Sequence, residues 1–360
     1  MLPAAAHEDL RLFALSEDGD AAVAAADGRP ARQAHRRGGG RHRRPAPLLL
    51  AADGNGLVHR AFHAVGGLGG EPGAALERVL AVLAKIAAEV RPTAFVIGFD
   101  DPVHSLRRDR HPAYKAARPP KPAELVELLD ELPELLRALG LCVVVPDGLE
   151  ADDVLGSAAA LASRRVVAAV LATGDQDAFA LVRPTVRVLL MVAGGRLEQV
   201  SPSWLRARYG VGPEQYPAFA ALRGDSSDCL PGVRGIGAVT AARLLAAYPD
   251  VEAALADPAG VAGLLGAWVV EALVSHGATY ELNRELMAIH TDVALDPDAC
   301  NRRLDRRLVA EVLAEHGLDD LADRFLGSFA LLGRAAWRRA PEPGRPDTRI
   351  QGAERCAEPG

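Results

Sequence analysis

Between residues 47 and 175, short apolar runs alternate with amphipathic helical stretches, and several of these runs stop at an acid. The runs are PLLLAAD (47–53), TAFVIGFD (93–100), CVVVPDG (142–148) and VVAAVLATGD (166–175). Between them lie ALERVLAVLAKIAAEV (75–90), AELVELLDELPELLRALG (123–140) and a helix expected from Asp152. This alternation predicts a parallel sheet covered on both faces, because strands buried on both sides read as continuous apolar stretches. In open sheets of this kind, ligands bind beyond the carboxyl ends of the strands. Asp53, Asp100 and Asp175 are therefore expected to face one crevice.

From about 203 to 327 the pattern becomes helical with Gly-rich turns and no strand alternation. Residues 1–45 are Ala-rich and then Arg/Gly-rich (RPARQAHRRGGGRHRR), with too few large apolar groups for a core. They read as a disordered tail whose basic run could touch nucleic acid through phosphates, with a solvated tail or a start assigned too early the stronger readings, and 333–360 look equally unstructured. The expected organisation is a tail at 1–45, an α/β core at 46–202 with a basic segment at about 101–124, a helical region at 203–332 and a tail at 333–360.

At 360 residues and 49% hydrophobic content the chain can bury a full core. It has no apolar stretch of about 18 residues and no secretory pattern at its start, so no membrane and a cytoplasmic location are expected. Cys142, Cys229, Cys300 and Cys356 show no CxxC pairing, which argues against zinc and against a disulfide framework. The net charge of -6 decides little, because acidic segments can hold metal while basic ones meet phosphate.

Nine acids carry the chemistry: Asp53, Asp100, Glu150, Asp152, Asp153, Asp175, Asp177, Asp225 and Asp228. Any one of them is explained by a helix N-cap or an Asx-turn. Gathered together, carboxylates repel and raise each other's pKa values, and divalent cations relieve that. In EADD, Glu150 and Asp153 are spaced to share a helical face, while Asp152 points elsewhere unless the helix is just starting. Asp175 and Asp177 project to one side if the backbone is still extended. Oxygen ligands without a Cys/His set favour Mg²⁺ or Mn²⁺ over zinc. Nine acids exceed what one such ion takes, so two ions about 3.5–4 Å apart are expected, with outer acids acting through water.

The segment HSLRRDRHPAYKAARPPK (104–121) is strongly basic, carrying Arg107, Arg108, Arg110, Lys115, Arg118 and Lys121. A basic face beside an acidic metal site suits a phosphodiester, and a solvated basic loop is the other reading of the same residues. In GVRGIGAVTAARLL (232–245), Gly232, Gly235 and Gly237 precede an Ala/Leu helix whose first N–H groups can bind a phosphate without reading bases.

Taken in order, DGNGLVHRAF, FD, LRRDRHPAYKAAR, EADD, TGDQDAF and GDSSDCLPGVRGIG resemble the 5′ nuclease family, meaning the 5′→3′ exonuclease domain of bacterial DNA polymerase I and its flap endonuclease relatives. The resemblance spans about 47–330. It implies a PIN-like, Rossmann-like α/β fold with a helix-hairpin-helix region following it. It also implies metal-dependent, structure-specific hydrolysis of DNA at 5′ flaps, nicks and primer ends, in replication and repair.

By this resemblance all nine acids are metal-site positions, holding two Mg²⁺ or Mn²⁺. Lys115, Arg118 and Arg107 become catalytic residues of a basic arch. Arg60, Tyr114, Gly232, Gly235, Gly237 and Thr240 become DNA contacts, with K⁺ at the helix-hairpin-helix. Nothing resembling a polymerase follows, so a stand-alone monomer is expected, with any clamp or polymerase partner unspecified. Substituting Asn for Asp153 is expected to abolish cleavage and leave the fold intact.

Two positions depart from the family. Cys229 stands where Asn is usual, and Val239 stands where Lys commonly precedes Thr240. Two other readings compete. An aspartate-nucleophile phosphatase needs an acid where Asn55 stands, and a non-catalytic DNA-junction binder would have lost ligands that are all present here.

Overall fold

A computed structural model describes residues 45–66, 73–192, 195–335 and 337. The tails expected at 1–45 and 333–360 lie almost wholly outside the described residues. All elements named below fall in one compact unit that begins at Pro47.

The first half alternates as the apolar runs require: β1 (Leu48–Asp53), α1 (Gly54–Ala64), α2 (Ala74–Val90), β2 (Ala94–Gly98), α3 (Leu106–Arg110), α4 (Ala123–Ala138), β3 (Val143–Val144), α5 (Ala151–Arg165) and β4 (Ala168–Thr173). Two further strands, β5 (Val186–Met191) and β6 (Leu197–Val200), complete a six-stranded sheet of order β3-β2-β1-β4-β5-β6. β1 to β5 run parallel and β6 runs antiparallel to β5. The chain builds outward from β1 through β2 and β3, then returns to the other side of β1 with β4. That reversal opens a crevice at the carboxyl ends of β1 and β4, where Asp53 and Asp175 stand.

β1, β2 and β4 are buried almost throughout, which explains their lack of polar alternation. Small residues let α5 lie close to the sheet: a Cβ on Gly98 would come within 2.6 Å of Val154. A Cβ on Gly156 would in turn meet the His290 carbonyl at 2.5 Å, so the residues around 290 cross tightly over α5. This packing holds the acid-bearing first turn of α5 against the strand ends.

The second half comprises α6 (Pro202–Tyr209), α7 (Tyr216–Arg223), the small hairpin β7 (Gly224–Asp225) and β8 (Leu230–Pro231), then α8 (Ala238–Ala247), α9 (Val251–Ala256), α10 (Pro258–Leu265), α11 (Ala267–Ser275) and α12 (Gly277–Leu286). Three short helices follow. The hairpin corrects the expectation of a purely helical region, and two-residue strands leave too short a period to be read from sequence. Asn283 of α12 anchors it, donating to the Ala221 carbonyl at 2.9 Å and the Pro231 carbonyl at 2.8 Å. Among the described residues no helix is long and apolar enough to cross a membrane.

Candidate metal centre

Asp53 ends β1 and caps α1, accepting the Gly56 N–H at 2.8 Å and the Thr173 hydroxyl at 3.0 Å. A Cβ on Gly56 would lie 2.3 Å from its Oδ2, so a side chain there would displace the Asp53 carboxylate. Asp100 follows β2, and its carboxylate accepts the Asn55 amide and the Ala151 N–H, both at 2.9 Å. Asp152 lies in the first turn of α5, and its buried Oδ1 has no partner. Asp175 follows β4 and accepts the Asp177 N–H at 2.8 Å.

These carboxylates stand in one field. Burial, then repulsion from Asp100 and Asp175, lifts Asp53 to about 6. Burial raises Asp100, with Glu150 adding to it. Burial and then Asp175 and Asp53 push Asp152 well above the usual range, and burial, Asp175 and Asp228 do the same to Asp177. Asp175 is raised by burial and by Asp228 and Asp225.

The remaining acids are already partnered. Glu150 receives the Lys115 ammonium at 3.0 Å on both oxygens and the Tyr114 hydroxyl at 3.1 Å. Asp228 pairs with Arg118, and Lys115 lies 3.9 Å from it. Lys115 is held in the left-handed region (φ 57), a conformation costing roughly 1–2 kcal/mol for a non-glycine residue. Its N–H donates to the Asp228 carbonyl at 3.0 Å, which fixes the ammonium over the carboxylates.

Asp153 is 0% exposed and all its acceptor directions are used. It takes Arg107 in a fork at 2.7 and 2.8 Å, the Glu150 N–H at 2.9 Å and the His290 N–H at 2.8 Å. Burial opposes its charge, but the Arg107 guanidinium outweighs this and holds the carboxyl below its ordinary value. Arg107 also donates to the Leu286 and Ala288 carbonyls, both at 2.9 Å, and lies 3.4 Å from the Glu150 carboxylate. The structure therefore shows Asp153 and Arg107 as a buried ion pair behind the other acids, with Arg107 linking it to Glu150. Tyr114, 4% exposed and bonded to Glu150, likewise lies inside the protein and not on a DNA-facing surface.

Asp225 and Asp228 ride on the β7–β8 hairpin, where Asp225 accepts the Ser227 N–H and hydroxyl, both at 2.7 Å. An open cavity of about 800 Å³ separates this hairpin from Gly174, Asp175 and Gln176. Cys229 occupies a left-handed turn position (φ 60), which Asn tolerates better, and its sulfur accepts the Ala117 N–H at 3.3 Å. A Cβ on Gly232 would lie 2.2 Å from the Arg223 carbonyl, so this glycine serves the hairpin's packing. Gly235 (φ 87) and Gly237 form the turn before α8, whose start has no side-chain cap. Thr240 lies in the first turn of α8, and Val239 beside it is 76% exposed. Arg60 reaches from α1 to Gly174 beside the β4 acids: its guanidinium would lie 2.4 Å from a Cβ there.

The nine acids do not converge on a point. Among the described residues, the three whose ligand atoms all lie within 4.8 Å of one another are Asp101, His104 and Asp147, outside the nine. Eight of the nine line a trough along the strand ends, the start of α5 and the β7–β8 hairpin, with Asp153 buried behind it. An all-oxygen set with raised pKa values and an orphaned buried carboxylate oxygen fits hard divalent cations. Asn55 and Thr173, which orient Asp100 and Asp53, were not singled out from sequence as supports of the site. Asn55, two residues after Asp53, carries a local signal; Thr173 at the end of β4 carries none.

Residues 48–210 match the 5′-3′ exonuclease N-terminal resolvase-like domain, and 211–307 match the 5′-3′ exonuclease C-terminal SAM fold. The chain belongs to the 5′-3′ exonuclease family. DNA polymerase I of Mycobacterium tuberculosis is 34% identical over 299 residues, covering 81% of this chain and 33% of that protein. The chain thus spans about a third of the length of the curated relatives it matches. In fold it is similar to the T5 D15 protein co-crystallized with metal ions, with a TM-score of 0.57 at 19% identity over 79% of this chain and 99% of that one. It is also similar to the catalytic core of Rad2 in complex with DNA substrate, with a TM-score of 0.53 at 14% identity over 78% of this chain and 92% of that one.

Proposed function

We propose that the chain is a metal-dependent, structure-specific 5′→3′ exonuclease and flap endonuclease that hydrolyses DNA phosphodiesters in replication and repair. The mutually repelling carboxylates at the carboxyl ends of β1, β2 and β4, none of them bonded to a basic side chain, carry this reading. Asp53, Asp100, Asp152 and Glu150 would hold one Mg²⁺ or Mn²⁺, and Asp175, Asp177, Asp225 and Asp228 would hold or hydrate a second. Such cations supply activation of a water and stabilisation of the leaving oxygen. Lys115 and Arg118, which meet Glu150 and Asp228, would turn toward the scissile phosphate and offset its charge. The turn at Gly235 and Gly237 would bind duplex backbone at the start of α8, with K⁺ at the same turn. Arg60 would meet the strand near Gly174.

Purified protein with a 5′-labelled flap, a nicked duplex and single strands, with and without Mg²⁺ or Mn²⁺, tests this. Metal-dependent release of short 5′ products from the flap and nick is expected. DNA binding without metal-dependent cleavage would replace the nuclease by a junction binder.

A further inference from the structure

Cys142 and Cys300 are 158 residues apart in sequence, yet their sulfurs lie 3.5 Å apart with Cys300 donating to Cys142. Neither contributes to the metal centre. Cys142 stands just before β3, and its carbonyl accepts the Ile97 N–H at 2.9 Å. Cys300 ends the short helix Pro297–Cys300, its N–H bonded to the Asp296 carbonyl at 3.0 Å. Both backbones are therefore fixed, and side-chain rotation alone must bring the sulfurs to the roughly 2.05 Å of a disulfide. Cys300 is 1% exposed while Cys142 is half-buried, so a small oxidant reaches one sulfur before the other. The same contact holds the Cys142 thiol below its ordinary pKa and the Cys300 thiol above it, making Cys142 the more nucleophilic sulfur.

We propose that Cys142 and Cys300 form a peroxide-sensitive modification site, in which Cys142 is oxidised first and Cys300 resolves it to a disulfide. The Cys142 thiolate attacks one oxygen of hydrogen peroxide; the S–O bond forms, the O–O bond breaks, and the departing hydroxide takes a proton to become water. The Cys300 sulfur, losing its proton, then attacks the Cys142 sulfur; the S–S bond forms and the S–O oxygen leaves as a second water. Two thiols lose two electrons, and one peroxide becomes two waters.

The closed loop from 142 to 300 encloses most of the metal-site acids and the turn before α8. It also tethers the stretch in which the His290 and Val293 N–H groups brace Asp153 at 2.8 Å and Ser157 at 2.9 Å. A cross-link closing so long a loop restricts the unfolded chain, so a melting temperature higher by on the order of 5 °C is expected.

The test treats the full, native protein with hydrogen peroxide, blocks remaining thiols with N-ethylmaleimide and maps peptides without reductant. A Cys142–Cys300 linked peptide that dithiothreitol reverses is expected, together with the higher melting temperature. In Cys300→Ser, dimedone should trap Cys142 as a sulfenic acid. N-ethylmaleimide on both cysteines after peroxide that oxidises glutathione in parallel would overturn the proposal. So would Cys142 linked instead to Cys229 or Cys356.

Discussion

The two sides of the carboxylate trough solve the same electrostatic problem differently. On one side Asp153, Glu150 and Asp228 are met by Arg107, Lys115 and Arg118, and Asp153 sits below its ordinary pKa. On the other, Asp53, Asp152, Asp175 and Asp177 face one another without a basic side chain bonded to them, and all are raised. Acid count alone therefore misleads. A buried carboxylate whose bonds are filled by a guanidinium and backbone N–H groups has its charge already met, whereas one with an orphaned buried oxygen, as at Asp152, suits an external cation.

Asp152→Asn should produce the largest contrast. Turnover on a 5′ flap should fall by about 10²-fold or more, while the metal-free melting temperature holds or rises because a repelling charge is gone. Matching losses of activity and stability would erase the distinction between the sides. Asp153→Asn should do the opposite of what its sequence position suggests. It strands the buried Arg107 and should cost roughly 3–5 kcal/mol of folding stability, read by urea denaturation. A fully stable variant would return Asp153 to the metal side.

Lys115→Ala should depress kcat by roughly 10–100-fold with little change in flap Kd, because its ammonium offsets charge in the reaction more than it anchors duplex. A loss confined to affinity would make it a positioning residue. pH separates the sides further. Asp53, near 6 when folded and 3.8 when unfolded, keeps its proton in the folded state, so its contribution to stability is full below about 3.8 and fades as pH rises through 6. Asp153 runs the other way: its contribution is present above 3.8 and is lost as pH falls. Mg²⁺ competes with the protons of the raised set, so the melting-temperature increase it gives should be larger at pH 7.5 than at pH 5. The smallest effect is expected at Cys229→Asn, a gain of roughly 0.5–1 kcal/mol from a residue better suited to the left-handed turn.

Much of this was legible in the sequence, for definite reasons. Asp53, Asp100 and Asp175 end or closely follow continuous apolar runs, and strand ends in a parallel sheet share one edge, so their gathering follows from local pattern. The fates of Asp153 and Arg107 do not, because the two are 46 residues apart and the cover of Leu286, Ala288 and His290 arrives from the end of α12 and the residues just after it. Nor could Tyr114, beside Lys115 in a basic segment, announce that its ring faces inward. β5 and β6 escaped because their run lies beyond the last helix of the alternation, and Gly232 looked like part of a phosphate turn until the hairpin closed on it.

The most direct test of the division is Mn²⁺ binding to the metal-free protein, followed by electron paramagnetic resonance of the free ion. Two ions per chain in the wild type and a clear loss of occupancy in Asp152→Asn are predicted. Equal binding by both proteins, or no binding by either, would contradict the claim that the unpaired side of the trough is the metal centre.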